Sequence, residues 1–335
     1  MSKPKKKPKG ERNQKEVRTI KTNQLSDDLS KLEELPVTYQ AVLDFFRVNK
    51  VDPVALRKET FLRIEKITGR PLICYVTKTH NPPKGSQNYI NDFDLTGFND
   101  LVSTVTGDSV DIFIMSNGGE VEATERIVNL IHERFNNIRF IVPSNAFSAA
   151  TLLCFSGDEI IMDTQAALGP IDPQMNGIPV QAILQAFNKV KKEVEERGVK
   201  SLVVYWPLIA KYDLHLLEIG ENFDALSKQL AENWLSKYML KCSKDDVRVR
   251  NSVGFFSAYD THKSHGRSIN REMAYEYGLN VRKTEDIEGL QELVRSLYNQ
   301  YVLWFDKTPF VKNYENRHGI NWGWQAPILV PTVKK

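Results

Sequence analysis

Three short apolar runs, each released by a polar or glycine-bearing turn into a helix-forming pattern, constrain this fold more than anything else in the chain. Val110-Asp111-Ile112-Phe113-Ile114-Met115 is apolar except for Asp111 and reads as a strand buried on both faces. Ser116-Asn117-Gly118-Gly119 turns it, and Ala123, Ile127, Leu130, Ile131 and Phe135 then recur at helical spacing over Val121 to Phe135. The pattern repeats with a strand from Ile138 to Val142, a turn at Pro143-Ser144-Asn145 and an apolar helix from Ser148 to Phe155. A third strand, Glu159-Ile160-Ile161-Met162, runs on into Ala167-Leu168-Gly169-Pro170-Ile171-Asp172-Pro173-Gln174. Strands alternating with helices predict an α/β fold with mostly parallel strands.

The flanks read differently. Residues 1–22 hold nine Lys or Arg against Glu11 and Glu16, a balance of +7 in a chain whose total is +3, so the remainder is net acidic. With almost no apolar residue, this stretch is expected to be a disordered basic tail, solubilising or drawn to an anionic surface. Tyr39, Val42, Leu43 and Phe46 suggest a helical N-terminal extension over 23–66. The core domain is expected over 67–282, opening with Thr68-Gly69-Arg70 and the β-like run Pro71 to Val76. Within it, residues 180–241 carry two helical stripes, one through Ile183, Leu184, Phe187, Val190 and Val194, the other from Leu216 to Trp234. Over 283–335 the pattern predicts a helix at about 286–305 and an aromatic tail with Phe310, Tyr314, Trp322 and Trp324.

Composition narrows the function. A 41% hydrophobic, 26% charged chain supports an ordinary globular core. Its longest apolar runs are too short to span a bilayer, and no apolar stretch follows the basic N-terminus as a signal peptide would require. Three scattered cysteines (Cys74, Cys154, Cys242) suit reduced thiols in the cytoplasm, not a disulfide or zinc framework, and the histidines show no metal spacing. No metal and no cofactor are expected.

Loops leaving the carboxyl ends of parallel strands build the sites of such folds. Gly118-Gly119 leaves backbone amides uncovered, and two amides aimed at one point can hold an oxyanion; it is equally what a plain tight turn needs. In Asn145-Ala146-Phe147-Ser148-Ala149-Ala150-Thr151, small neighbours give access to the Ser148 hydroxyl at a helix start, where negative charge is favoured. The same serine could simply cap the helix.

Taken together, these loops resemble the serine dehydrogenase proteinase family, related to the signal peptide peptidase SppA and to ClpP. The resemblance runs through Ser116-Asn117-Gly118-Gly119, Phe147-Ser148-Ala149-Ala150-Thr151, Gly157-Asp158-Glu159-Ile160-Ile161-Met162-Asp163 and Leu168-Gly169-Pro170-Ile171-Asp172-Pro173-Gln174. Ser264-His265, Ile269, Ala274 and Gly278-Leu279 extend it, so that it covers about residues 68–281. It implies an α/β, ClpP/crotonase-like spiral of ββα units with a helical arm. Ser148 would be the nucleophile, and the amides of Gly118, Gly119 and Ala149 the oxyanion hole. Two departures stand out: Asn117 where the family has proline, and Ala149-Ala150 where it has glycine near the serine.

A serine hydroxyl needs a base. ClpP-like enzymes use His and Asp and SppA-like ones Lys, yet Leu168 to Gln174, which matches the loop of ClpP's histidine, holds none. That favours Lys211, which follows the apolar run Leu202 to Ala210 that could depress its pKa; Lys200 is the runner-up. His265, near where ClpP-like proteins carry the triad aspartate, is the other contender, with His262 beside it. Asp172 reads as a structural turn carboxylate. The expected function is an ATP-independent serine peptidase acting on peptides or proteins, in a trimer or larger ring as such folds usually form. The alternatives are a catalytically inactive scaffold and a crotonase-type acyl-CoA enzyme.

Overall fold

A computed structural model describes residues 29–30, 32–175, 177–210 and 215–327. The basic tail and Lys211 lie outside the described residues. The N-terminal extension forms α1 (Tyr39–Asn49) and α2 (Pro53–Thr68). The Thr38 hydroxyl caps α1 by accepting from the Ala41 amide, and the Asp52 carboxylate caps α2 by accepting from Val54. Gly69, at φ 69°, closes α2.

From there the chain lays down β1 (Leu72–Thr77), α3 (Asp94–Ser103), β2 (Ser109–Met115), α4 (Val121–Arg134), β3 (Asn137–Val142), the short β4 (Asn145–Ala146), α5 (Ala149–Phe155) and β5 (Glu159–Met162). The short β6 (Ala167–Leu168) pairs with β4, and β7 (Gln174–Met175) makes a hairpin with β8 (Ile178–Pro179). An arm follows: α6 (Val180–Arg197), a 3-10 turn, α7 (Leu202–Ile209) and α8 (His215–Trp234). α9 (Val247–Phe256), α10 (Tyr259–His262), α11 (Arg271–Glu276) and β9 (Val281–Lys283) return it to the body. α12 (Leu290–Lys307), β10 (Phe310–Asn316) and β11 (Asn321–Gln325) end it.

The main sheet has seven strands in the order β11-β10-β1-β2-β3-β5-β9. β1, β2, β3, β5 and β9 pair in parallel, and β10 and β11 add an antiparallel edge. Alternation along β2 divides the core between two faces: Ile112 and Ile114 pack with Phe98, Ile127 and Leu152, while Phe113 and Met115 pack with Phe61, Ile64 and Leu297. Each such side chain buried contributes about 1.5–3 kcal/mol, and this two-sided cover is why the strands read as continuous apolar runs.

Two expectations shift. The last helix begins at Leu290, not near 286, because Gly289 at φ 75° breaks the backbone path before it. The stretch read as an aromatic tail forms β10 and β11. In the arm, the α6 stripe is only half-buried, and α8 enters the core from Leu230 onward.

Candidate active site

At the carboxyl edge of the parallel strands, β2 ends in the Gly118-Gly119 turn and β3 leads through β4 to Ser148. Ser148 stands at the start of α5 with φ 53° and ψ −121°, a conformation that L-residues rarely adopt, and makes no side-chain cap hydrogen bond. Strain at a half-exposed serine, with no local bond in return, fits a hydroxyl held for chemistry better than a helix cap.

Ser148 is locked from both sides. A parallel bridge joins Ser116 to Ala146, with the Phe147 amide donating to Ser116 O (3.0 Å). The buried Thr151 hydroxyl donates to Ala146 O (2.7 Å) and accepts from the Gly169 amide (3.0 Å), tying the serine loop to residues 168–174. Leu168 and Ile269 exchange backbone hydrogen bonds (2.9 and 2.8 Å), which brings the segment carrying His265 against the loop carrying Asp172.

There His265 Nδ1 lies 3.0 Å from Asp172 Oδ1. Asp172 is 1% exposed, and its Oδ2 has no hydrogen-bond partner among the described residues. A turn carboxylate would cap backbone amides; this one faces an imidazole. The pairing places the Nδ1 proton toward the carboxylate and leaves Nε2 as the acceptor. Ser148 and His265 line one cavity of about 450 Å3, together with Gly118 and Gly119. Leu152, Ile171, Phe223 and Leu226 give it an apolar wall, and Glu120 and Glu122 sit on its margin.

The three amides expected to bind an oxyanion are not equivalent. The Gly118 amide is buried and donates to Ser116 Oγ (3.1 Å). Ile90 donates to Gly118 O and accepts from the Glu120 amide, each at 2.8 Å, so the Gly119 amide between them points away from Ile90. Gly119 and Ala149, the first residue of α5, keep amides without partners among the described residues. Asn117 donates from its side-chain amide to Thr79 O (3.0 Å) and so braces the same turn.

The other candidates fall elsewhere. Lys200 is exposed in the 3-10 turn after α6 and does not line the cavity. His262 is buried, its Nε2 bonded to Phe255 O at 2.7 Å, and burial pushes its pKa below the ordinary imidazole value. No metal-binding cluster occurs among the described residues, and no described helix is long and apolar enough to cross a membrane. Asp172, expected as a turn carboxylate, is paired with His265, and the bracing contacts of Ser116 and Thr151 had no signal beyond their place in the two loops. The signal for Asp172 was a carboxylate set between Ile171 and Pro173, where water would hardly reach it.

Residues 99–207 match the family model of the ClpP-like SDH-type serine proteinases. Two uncharacterised proteins of Methanocaldococcus jannaschii are similar: one is 28% identical over 142 residues, 40% of this chain and 49% of the relative. The other is 37% identical over 89 residues, 27% of this chain and 29% of the relative. The matches thus span at most about half the length of these relatives. Among solved structures, a membrane-bound stomatin-specific protease in complex with a substrate peptide is 16% identical, with 71% of this chain and 83% of that chain covered and a TM-score of 0.37. A ClpP from Listeria monocytogenes is 13% identical, with 67% and 98% covered and a TM-score of 0.35. Over residues 99–207 the chain is thus similar to the ClpP-like, SDH-type serine proteinases, and its fold is a mixed α/β one built on a mostly parallel sheet.

Proposed function

We propose that the chain is a serine peptidase in which Ser148 is the nucleophile, His265 the general base and Asp172 the group that orients it. The observation carrying this reading is the pairing of buried Asp172 with half-buried His265, which lines the cavity that also holds Ser148 and Gly119. His265 Nε2 takes the proton as Ser148 Oγ attacks the scissile carbonyl, and the amides of Gly119 and Ala149 receive the oxyanion. His265 then gives that proton to the leaving amine, and water, activated by the same nitrogen, releases the acyl group. In this reading Asp172 stands in the loop that the resemblance matches to ClpP's histidine, and His265 near the one matched to its aspartate. The apolar wall suits an apolar substrate side chain beside the scissile bond.

A fluorophosphonate probe and a fluorogenic peptide library test this. Ser148→Ala should abolish labelling, His265→Gln should lower kcat by on the order of 10⁴-fold, and Asp172→Asn should also lower it strongly by favouring the wrong tautomer. Full labelling of His265→Gln would return the base to a lysine such as Lys211. A cytoplasmic setting fits the three unpaired cysteines. Self-assembly fits the arm, where Val203, Val204 and Trp206 are 75%, 74% and 61% exposed; sedimentation at the mass of one chain would count against it.

A further inference from the structure

The Gly118-Gly119 turn has two residues of unusual backbone freedom, and an oxyanion amide is useful only if it cannot rotate away. Its support comes from a short segment, residues 89–91, whose two peptide groups are each bonded through both N–H and carbonyl, Tyr89 O also accepting a long bond (3.4 Å) from the Asn91 side chain. In the peptide between Tyr89 and Ile90, the N–H donates to Gly118 O (2.8 Å) and the carbonyl accepts from Lys312 Nζ (2.8 Å). In the peptide between Ile90 and Asn91, the carbonyl accepts from the Glu120 amide (2.8 Å) and the N–H donates to Asp94 Oδ2 (2.9 Å). One side of the segment grips the turn, and the other is gripped by Lys312 and Asp94.

Those two residues are themselves an ion pair, Lys312 Nζ to Asp94 Oδ1 at 2.6 Å, with side chains 1% and 0% exposed. Tyr75 OH (2.9 Å) and Tyr314 OH also donate to Asp94. Lys312 lies on β10 and Asp94 begins α3, and both fall outside residues 99–207. A buried pair is poor evidence for stability as such, since apolar replacements of similar volume are often neutral or better. Fixing a backbone segment is a role that apolar replacements would not fill.

We propose that Lys312 and Asp94 are positioning residues for catalysis: through the peptide groups flanking Ile90 they hold the Gly118-Gly119 turn so that the Gly119 amide stays aimed at the reacting carbonyl. The proposal rests on the peptidase reading above but is tested separately from it. Lys312→Met alone would strand the Asp94 carboxylate, so the test uses Lys312→Met with Asp94→Asn, a neutral pair. Lys312→Gln with Asp94→Asn keeps a donor for Tyr89 O.

Two readouts are taken on the full chain: the rate of fluorophosphonate labelling with peptide kcat and KM, and hydrogen exchange in peptides covering 88–92 and 116–122. The Met double variant should label and turn over on the order of tenfold to a hundredfold more slowly with KM nearly unchanged. Exchange should quicken in those two peptides and not in β2, β3 or β5, and the Gln double variant should recover part of both effects. Unchanged labelling and exchange would overturn the proposal. So would acceleration spread evenly over the sheet, which marks a general stabiliser. Wild-type exchange at 88–92 as fast as in the exposed arm would overturn it without any variant. A wild-type chain inert to the probe would sink the peptidase reading, while the exchange data still decide the clamp.

Discussion

Gly118 has no room for a side chain. A Cβ there would stand 2.5 Å from Phe147 O and 2.8 Å from Ser148 Cβ, and its φ of 96° is one that L-residues avoid. Gly69 makes the contrast: its φ is 69°, but nothing lies within 4 Å of a Cβ added there. Gly69→Ala should therefore cost only backbone strain, about 1–3 kcal/mol, and leave the probe rate alone. Gly118→Ala carries the same strain and also pushes on the Phe147–Ser148 peptide. Its expected loss in kcat/KM is on the order of 10²-fold, because a displacement of about 1 Å between nucleophile and oxyanion amides is enough. Urea unfolding together with probe kinetics separates the two variants; equal probe rates would show that the contact with the serine loop does not matter.

The elements around Ser148 are joined by contacts that periodicity cannot announce. Thr151 is the clearest: inside an apolar helix its hydroxyl bonds to Ala146 O and the Gly169 amide, in β4 and just after β6. Thr151→Val keeps the volume and strands both backbone groups in a buried place, which should cost about 1–3 kcal/mol. Since Gly169 begins the loop that ends in Asp172, kcat should fall more than KM rises; a purely stabilising role would leave both unchanged in the folded fraction. The long parallel strands were legible because burial on both faces leaves unbroken apolar runs between turns. β10 was not, since Lys312, Asn313, Glu315 and Asn316 are all buried there, and polar residues between its aromatics break the apolar run that marks a strand. Their burial is tolerable only beside partners such as Asp94 for Lys312 and Arg57 for Glu315, which lie 218 and 258 positions away. The same holds for the site: Ser148 and the glycines sit in loops with a local signature, whereas Asp172 and His265 meet across 93 positions through the Leu168–Ile269 bonds.

On the scale of the whole molecule, two histidines outside the site couple stability to pH. His132 on α4 stacks on Tyr238, with ring centroids 3.5 Å apart, and its Nε2 donates to Ser156 O (2.8 Å), linking α4, the end of α5 and the base of the arm. His262 links α10 to α9 through Phe255 O. Burial lowers both pKa values below the ordinary imidazole value. The unfolded chain therefore begins to take up these protons near pH 6.5, before the folded chain does, and uptake on unfolding favours the unfolded state as pH falls. The stability the neutral rings contribute is complete above about pH 6.5 and is lost as pH drops through their folded values. Glu285, held at about 2 by the Arg271 guanidinium, stays ionised across that window and does not confuse it. The urea midpoint should fall between pH 7.5 and 5.5, and His132→Gln combined with His262→Gln should shrink that fall, since glutamine keeps a donor for the carbonyl but takes up no proton. A double variant with the wild-type pH dependence would place the coupling elsewhere. A slope that changes with the midpoint would mean that the arm unfolds apart from the sheet.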